Sequence, residues 1–360
     1  MSVKRVLVSG PEDFAVEEVP DPRPAPGEVL LRLVSAGICG TDLALLRGQN
    51  AVARYPVVLG HECVAQVVSV PEGPDPDAAG LRAGEHVVVF PTISCGSCRA
   101  CREGRDNQCP TMRVMGLSDP NGCFTELLTV APSQCVPIPS EVARTYGALV
   151  EPMAVASHLV GRSAIGTQDD VAVIGSGMIG LATGLAARAR GVGRLLAVDR
   201  FPSREPVARR LGFDDFTAAG GGALASWIAE RGGVDVVFDT VMTAETTTVA
   251  IDALRPGGRY VAVASAKPGA RLMVRYDDFY RKELTVVGCR NYTREDFRAA
   301  ADLLARGLVD PRPLVTANLE LGRFGEAMTA LAERPDRHLK VLLHPSEVGG
   351  SSPAAGPVPS

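Results

Sequence analysis

The sequence lacks an excess of positive charge, because its 37 lysines and arginines are outnumbered by 41 aspartates and glutamates. Proteins that bind nucleic acid or anionic membranes need a basic surface, so the composition argues against both partners. The chain also lacks an apolar run near the roughly 20 residues that cross a bilayer. Its N-terminus, MSVKRVLVSGPEDF, has no apolar core or small-residue cleavage site of a signal peptide. We therefore expect a cytoplasmic protein.

A disulfide scaffold is not expected either. The chain has nine cysteines, an odd number, and no secretion signal. Four of them stand within fifteen positions, in the stretch CGSCRACREGRDNQC. Thiols stay reduced in the cytosol, where a tight cluster of this kind is more typical of a metal site.

The order of patterns along the 360 residues predicts two domains. The first 150 residues contain short β-rich runs bounded by turn residues, such as RVLVSG, EVLLRLVSAG, VAQVVSV, EHVVVF and CFTELLTV, which favour a barrel or sandwich. Strands then alternate with helices, which predicts an α/β domain with a doubly wound parallel sheet. HLKVLLHP near the end reads as a strand that rejoins the first domain, and residues 346–360 read as a disordered tail.

The stretch VAVIGSGMIG predicts a dinucleotide-binding turn. Its G-x-G-x-x-G pattern follows a buried strand and opens a helix, and an acidic residue ends the next strand at the expected distance. The alternative is a Rossmann-like domain that binds no dinucleotide. The predicted cofactor-binding residues of this turn are Gly175, Ser176, Gly177, Met178, Ile179 and Gly180.

Asp199 is the acidic residue, and it favours NAD over NADP. A carboxylate there accepts hydrogen bonds from the ribose hydroxyls and repels a 2′-phosphate. The neighbouring Arg200 could accommodate that phosphate, so NADP stays possible. We interpret Arg200 as a solvated surface charge.

The cysteine cluster has the spacing C-x2-C-x2-C-x7-C, which four thiolates around a structural zinc ion explain well. An iron–sulfur cluster is the rival, but the ferredoxin run needs three residues before its last cysteine. A redox C-x-x-C pair is a further alternative and needs only two thiols. The predicted structural zinc ligands are Cys95, Cys98, Cys101 and Cys109.

Three further segments supply polar groups for chemistry: GICGTD, GHE and LVEPMAVASH. Each has an ordinary interpretation when taken alone. Cys39 could be a core thiol, His61 a core histidine, and Glu151 a carboxylate favoured at a helix N-terminus.

Together with the cysteine loop and the glycine-rich turn, in this order, these segments resemble the zinc-dependent medium-chain dehydrogenase/reductase family from about Glu28 to Leu343. The resemblance implies two zinc ions per chain. It implies that Cys39, His61 and Glu151 bind a catalytic zinc, with Glu62 as a neighbouring or alternate ligand. It also implies that Thr41 hydrogen-bonds the substrate oxygen and that Arg204 lines the adenine pocket.

The same resemblance implies the fold and a branch of the family. A GroES-like catalytic domain would span residues 1–155 and be completed by 290–345, with a Rossmann domain at 156–289. The EPM motif after Val150 resembles the sorbitol and threonine dehydrogenase branch, whereas alcohol dehydrogenases usually have cysteine in place of Glu151. We expect a homodimer or homotetramer.

The expected activity is NAD-dependent oxidation of a secondary alcohol to a ketone. Substrates would be polyols, sugars or cyclitols, including an aminocyclitol or amino sugar of aminoglycoside biosynthesis. A simple alcohol or threonine-type dehydrogenase is an alternative, and a non-enzymatic NAD-binding regulator is an alternative of another class. Many family members have a relay histidine at the position of Ala44, so here the proton would leave through Thr41, a ribose hydroxyl and water, or through another side chain.

Overall fold

The computed structural model describes residues 2–50, 52–71, 80–219, 223–263 and 271–346. These residues form two compact units. The first contains the described residues up to Ile93, then Arg113–Ala148, and those from Val315 onward; the second contains Ser94–Met112 and Leu149–Leu314. Among the described helices, none is long and apolar enough to cross a membrane.

The strands in chain order are β1 (Ser2–Gly10), β2 (Asp13–Pro20), β3 (Val29–Gly37), β4 (Val57–Val58), β5 (Glu62–Ser69), β6 (His86–Val89), β7 (Thr92–Ile93), β8 (Arg113–Val114), β9 (Leu127–Val130), β10 (Cys135–Pro137), β11 (Val171–Ile174), β12 (Leu195–Asp199), β13 (Asp215–Ala218), β14 (Val234–Asp239), β15 (Leu254–Ala262), β16 (Thr285–Gly288), β17 (Val315–Glu320) and β18 (Lys340–His344). The helices are α1 (Gly40–Leu46), α2 (Arg99–Arg102), α3 (Ser140–Thr145), α4 (Val150–Ser163), α5 (Met178–Ala189), α6 (Glu205–Arg210), α7 (Ala223–Arg231), α8 (Ala244–Ala253), α9 (Tyr276–Arg281), α10 (Arg294–Ala305) and α11 (Phe324–Glu333).

The first unit is built from β-sheets. Strands β2, β1 and β4 form one antiparallel sheet, and a larger sheet has the order β10-β6-β5-β3-β18-β17, with β9 also pairing with β3. In β3 the alternate residues are buried, as expected for a strand with one face on a core. That core includes Leu31, Phe124 and Phe324, and the rings of the two phenylalanines lie 5.7 Å apart.

The C-terminal strand β18 completes this sheet. It runs antiparallel to β3, with Leu342 opposite Gly37 and Leu343 opposite Ala36. The expectation that HLKVLLHP rejoins the first domain is therefore confirmed. The β-rich runs predicted for the first 150 residues also appear, as β1, β3, β5, β6 and β9.

The second unit contains a six-stranded parallel sheet with the order β13-β12-β11-β14-β15-β16. This is the doubly wound order, in which the strand order reverses between β11 and β14. Strand β11 is entirely buried, because it is central and is apolar throughout. Ligands of such folds bind at the carboxyl ends of the strands at this reversal, so the turn after β11 is the expected cofactor site.

The borders of the units differ from the predicted domain borders. The predicted border at 155/156 falls inside α4, whereas the second unit begins at Leu149. Helix α4 packs against α5 and α10, and all three helices belong to the second unit. The four-cysteine segment also lies in the second unit. The disordered tail was predicted for residues 346–360, and residues 347–360 lie outside the described part of the chain.

Candidate functional site

In the first unit the fold brings Cys39, His61 and Glu62 together. Cys39 directly precedes α1, whereas His61 and Glu62 stand at the start of β5. The pairing of β3 with β5 places Glu62 opposite Gly37, two residues before Cys39. One potential ligand atom from each of the three residues lies within 4.8 Å of the others. A thiolate, an imidazole and a carboxylate at this spacing suit zinc.

Asp42 contacts both Cys39 and His61, and the sequence analysis assigned it no role. Its Oδ2 accepts a hydrogen bond of 2.9 Å from the amide of Cys39. Its Oδ1 lies 3.5 Å from Nδ1 of His61, which leaves the Nε2 atom of that ring for a metal. Asp42 is fully buried. Its Oδ1 atom and the Nδ1 atom of His61 are also buried, and neither atom makes a hydrogen bond to a described residue.

The electrostatics of the cluster favour a cation. Burial lowers the pKa of His61, but the carboxylate of Asp42 and the nearby Cys39 outweigh it and raise that pKa well above its ordinary value. The site therefore attracts positive charge, which a zinc ion would supply in place of a proton. The residues present fit the metal that the sequence predicts.

Glu62 also forms a buried ion pair with Lys340 of β18. The Nζ atom of Lys340 lies 2.7 Å and 2.5 Å from the two carboxylate oxygens, and it also donates to the carbonyl of Ile38 at 2.9 Å. Gly37 leaves room for this pair, because a Cβ atom there would lie 2.2 Å from Oε2 of Glu62 and the carboxylate would have to shift. Lys340 was missed by the sequence reasoning.

Thr41 lies in the first turn of α1 beside the predicted metal ligand. Its Oγ1 is 3.6 Å from the Sγ atom of Cys39, and the side chain is half-buried. Ala44 follows on the same helix and is also half-buried. The position of Thr41 suits a hydroxyl that contacts a substrate near Cys39, and this role stays a prediction.

The four cysteines of the second unit also converge. Their sulfur atoms lie within 4.8 Å of one another, and every cysteine of the structure is a free thiol. Backbone amides point at the sulfurs: Cys98 N–H donates to Cys95 at 3.3 Å, and Cys95 N–H to Cys109 at 3.4 Å. Such donors stabilise thiolates. Amide hydrogen bonds from Ser97 and Cys98 lower the pKa of Cys95 to about 6, whereas burial raises the pKa of Cys101 to about 11.

The cysteine segment is anchored inside its unit by the residues before Cys109. Asn107 donates to the carbonyl of Arg290 at 2.9 Å, and Asp106 accepts from the amide of Arg294 at 3.1 Å. Asn107 also lies 3.4 Å from the ring of His158 on α4. These contacts, the first two partly buried and the third buried, attach the segment to other residues of the second unit.

Glu151 stands in the first turn of α4 and is buried, with 8% of its surface exposed. It belongs to the second unit, whereas Cys39 and His61 belong to the first. Its role as a zinc ligand stays a prediction.

The glycine-rich turn after β11 has the features of a dinucleotide site. Gly175 has a φ of +92°, which favours glycine, and a Cβ atom at Gly180 would lie 1.8 Å from the carbonyl oxygen of Gly175. At Gly177 the Cβ position has no described atom within 4 Å, so the backbone is open to a ligand. The hydroxyl of Ser176 is buried and has no hydrogen-bond partner among the described residues. These residues fit a pyrophosphate above the N-terminus of α5.

Asp199, at the end of β12, lies next to this turn. Its carboxylate accepts hydrogen bonds from the amides of Ser176 at 2.6 Å and Phe201 at 2.8 Å. Arg200 is exposed and lies over the ring of Phe201, 4.6 Å from its centre. Arg204 is buried. The carboxylate is thus fixed beside the glycine-rich turn, where a ribose would lie.

A further residue at this site, Thr240, was not found from the sequence. It follows β14, and its hydroxyl donates to the carbonyl of Ile174 at 2.9 Å and to that of Gly175 at 3.1 Å. It therefore fixes the first residue of the turn from the neighbouring strand. The sequence feature that could have identified Thr240 is its position directly after a buried strand that ends in Asp239.

Comparison with known proteins agrees with this arrangement. Residues 25–140 match the alcohol dehydrogenase GroES-like domain, and residues 179–306 match the zinc-binding dehydrogenase domain. An L-galactonate-5-dehydrogenase of Escherichia coli K12 is 32% identical over 335 residues, which cover 91% of this chain and 94% of that protein.

Two solved structures are also similar. The alcohol dehydrogenase RspB of Escherichia coli CFT073, in complex with NADH, has a TM-score of 0.88 at 29% identity, covering 95% of this chain and 99% of that one. A zinc-binding dehydrogenase of Sinorhizobium meliloti 1021, bound to NADP, has a TM-score of 0.89 at 29% identity, covering 96% and 100%. The chain belongs to the zinc-type medium-chain alcohol and polyol dehydrogenase family, and it is an oxidoreductase that acts on a small-molecule alcohol.

Proposed function

We propose that the protein oxidises a secondary hydroxyl group of a polyol, sugar, sugar acid or cyclitol to a ketone and prefers NAD. The observation that carries the proposal is the convergence of Cys39, His61 and Glu62 within 4.8 Å, with Asp42 behind them. The similar L-galactonate-5-dehydrogenase is named for a sugar acid, which supports a polyhydroxylated substrate.

Cys39, His61 and Glu151 would hold the catalytic zinc, with Glu62 as a neighbouring or alternate ligand. When bound, zinc supplies a Lewis acid for the alcohol oxygen, and the nicotinamide supplies the hydride acceptor. Asp42 orients His61 through its Nδ1 atom. Thr41, with its hydroxyl 3.6 Å from the sulfur of Cys39, hydrogen-bonds the substrate and passes its proton toward solvent. With Ala44 at the usual position of a relay histidine, this proton path has no imidazole on α1.

The second zinc would be held by Cys95, Cys98, Cys101 and Cys109. Four sulfur ligands fill a tetrahedral site, so this metal has no open position for a substrate. Its function is to stabilise the segment that Asp106 and Asn107 anchor within the second unit.

NAD is the proposed cofactor because the Asp199 carboxylate lies where ribose hydroxyls would bind and would repel a 2′-phosphate. The stacking of Arg200 on Phe201 supports the interpretation of this arginine as a surface residue. Similar structures hold either NADH or NADP, so both cofactors must be assayed. A higher kcat/KM with NADP would contradict the preference.

We also propose a cytoplasmic homodimer or homotetramer. Reduced thiols at two metal sites suit the cytosol, where cysteines stay available as ligands. Light scattering of the purified protein tests the oligomeric state, and a monomeric mass would contradict it. Fractionation of the producing cells tests the location.

The function itself is tested with a panel of polyols, sugar acids, cyclitols and amino sugars, following NADH absorbance. Cys39→Ala should abolish turnover and lower the metal content from two zinc ions to one, because the four-cysteine site is separate. NADH binding should persist, because the glycine-rich turn belongs to the other unit. Near-normal rates of Cys39→Ala with any good substrate would refute the metal mechanism.

A further inference from the structure

Asp239 is a fully buried carboxylate at the carboxyl end of β14, the strand that pairs with β11. Its Oδ1 atom accepts hydrogen bonds of 2.9 Å from the backbone amides of Val241 and Met242. Its Oδ2 atom accepts from the hydroxyls of Thr246 and Tyr260, again at 2.9 Å each. All four donors are neutral, so these hydrogen bonds stabilise the carboxylate without an opposite charge. Removal of the carboxylate would release four donors at once, and two of them are main-chain amides.

The two amides belong to a turn with an unfavourable backbone conformation. Met242 has a φ of +58°, a left-handed value that is uncommon for residues other than glycine. Such a conformation persists where the surrounding contacts impose it. Asp239 imposes it here, because one oxygen binds both the amide of Met242 and the amide before it. The carboxylate therefore determines the path of the chain directly after β14.

The segment that Asp239 holds lies against the glycine-rich turn. The hydroxyl of Thr240 donates to the carbonyls of Ile174 and Gly175, and its amide donates to the carbonyl of Ile174 at 2.9 Å. A Cβ atom at Gly175 would lie 2.4 Å from Oγ1 of Thr240 and 2.7 Å from Cγ2 of Val241. No spare space separates the segment from the first glycine of the turn, so a displacement of one would move the other.

We propose that Asp239 is a positioning residue for the cofactor. Its carboxylate holds the chain after β14 so that Thr240 keeps Gly175, and with it the glycine-rich turn, in place for the dinucleotide. Asp239 acts through Thr240 and is itself completely buried, so it has no contact with the cofactor in this role.

A purely structural role is the alternative. Thr246 is the third residue of α8 and forms a capping box with Thr243, and Tyr260 lies in β15. If Asp239 only stabilised α8 and β15, its loss would lower the melting temperature and leave the cofactor affinity of the folded protein unchanged. The measurement that separates the two roles is the Kd for NADH, taken well below the melting temperature of every variant.

The test is a double-mutant cycle on the purified full-length protein, with the Kd for NADH measured by fluorescence titration. Asp239→Ala should raise the Kd about tenfold, which corresponds to the loss of roughly one hydrogen bond. Thr240→Val removes the hydroxyl and should raise it by a similar factor, whereas Thr240→Ser should keep the wild-type affinity. Because both residues act on one contact, the double variant should bind NADH no more weakly than the weaker single variant.

Tyr260→Phe is the matched control. It removes a hydrogen bond to the same carboxylate but leaves both amide contacts of Oδ1 in place. Burial raises the pKa of Tyr260, so the phenol stays protonated and donates to Asp239. Loss of this donor should lower the melting temperature, and the Kd for NADH should equal that of the wild type.

A wild-type Kd for Asp239→Ala would overturn the inference. Additive losses in the double variant would also overturn it, and so would an equal rise of the Kd in Tyr260→Phe. Should Asp239→Ala fail to fold, the comparison of Thr240→Val with Thr240→Ser decides. Equal affinities would overturn the path from Asp239 to Gly175, whereas weaker binding by Thr240→Val alone would support it.

Discussion

Replacing Gly177 by alanine separates cofactor binding from stability. Gly177 is the residue before α5 and has φ −78° and ψ −171°, an extended conformation that alanine adopts without strain. No described atom lies within 4 Å of the new methyl group. Lower entropy of the unfolded chain stabilises by about 0.4–1 kcal/mol, whereas alanine caps a helix less well than glycine by a similar amount. The melting temperature should therefore stay within about 2 °C of the wild type.

Cofactor affinity should nevertheless fall. The second glycine of the pattern is where the pyrophosphate approaches the backbone, so the methyl group of Gly177→Ala occupies the space of the phosphates. We expect the Kd for NADH to rise at least about tenfold, which corresponds to about 1.4 kcal/mol. Titration of NADH fluorescence measures the Kd, and circular dichroism on heating measures the melting temperature.

Gly180→Ala is the matched control within the same turn. Its Cβ would lie 1.8 Å from the carbonyl oxygen of Gly175, so the strand and helix must separate by about 1.5 Å or more to reach ordinary contact. Overpacking of this kind costs about 1–3 kcal/mol, or a melting temperature lower by roughly 2–12 °C. Here stability and NADH affinity should fall together. If Gly177→Ala binds NADH as tightly as the wild type, the assignment of the turn is wrong.

Three further substitutions test the metal and cofactor sites. Cys98→Ser should release one zinc per chain and lower thermal stability, because metal binding is coupled to local folding; iron and inorganic sulfide in metal analysis would contradict the zinc assignment. Asp199→Ala should raise the KM for NAD and lower the ratio of kcat/KM with NAD to kcat/KM with NADP, because the ribose contacts and the repulsion of the 2′-phosphate are lost together. Unchanged kinetics with both cofactors would contradict this role of Asp199. Asp42→Asn should weaken zinc binding about 10–100-fold by releasing the ring of His61, and equal chelator release from variant and wild type would show that Asp42 has no such role.

Sequence patterns are most informative where a proposed site is formed by neighbouring positions. The turn around Gly175 and the four-cysteine segment are each contained within fewer than about twenty residues, and their spacing alone reflects phosphate or metal geometry. The alternation of strands and helices predicted the parallel sheet correctly, because both faces of such a sheet are covered.

Domain borders depend on contacts that local patterns do not encode. Asn107 and Arg290 are 183 residues apart, and Asp106 and Arg294 are 188 apart, yet these pairs attach the cysteine segment to the second unit. A helical pattern of apolar residues predicts a helix but does not show which other helices it packs against. The predicted border therefore fell within the helix.

The role of Lys340 could have been recognised in part from the sequence. Lys340 stands in HLKVLLHP, and β18 lies between β3 and β17, where residues 340–343 are all buried. A lysine in a central strand requires a buried anion, but its partner Glu62 is 278 residues away. Removal of one partner alone should thus destabilise the metal-free protein by about 3–5 kcal/mol, through the charge left behind. Lys340→Met combined with Glu62→Gln should recover most of that loss in denaturant unfolding, since no buried charge remains; additive losses would mean that the two side chains stabilise the fold independently.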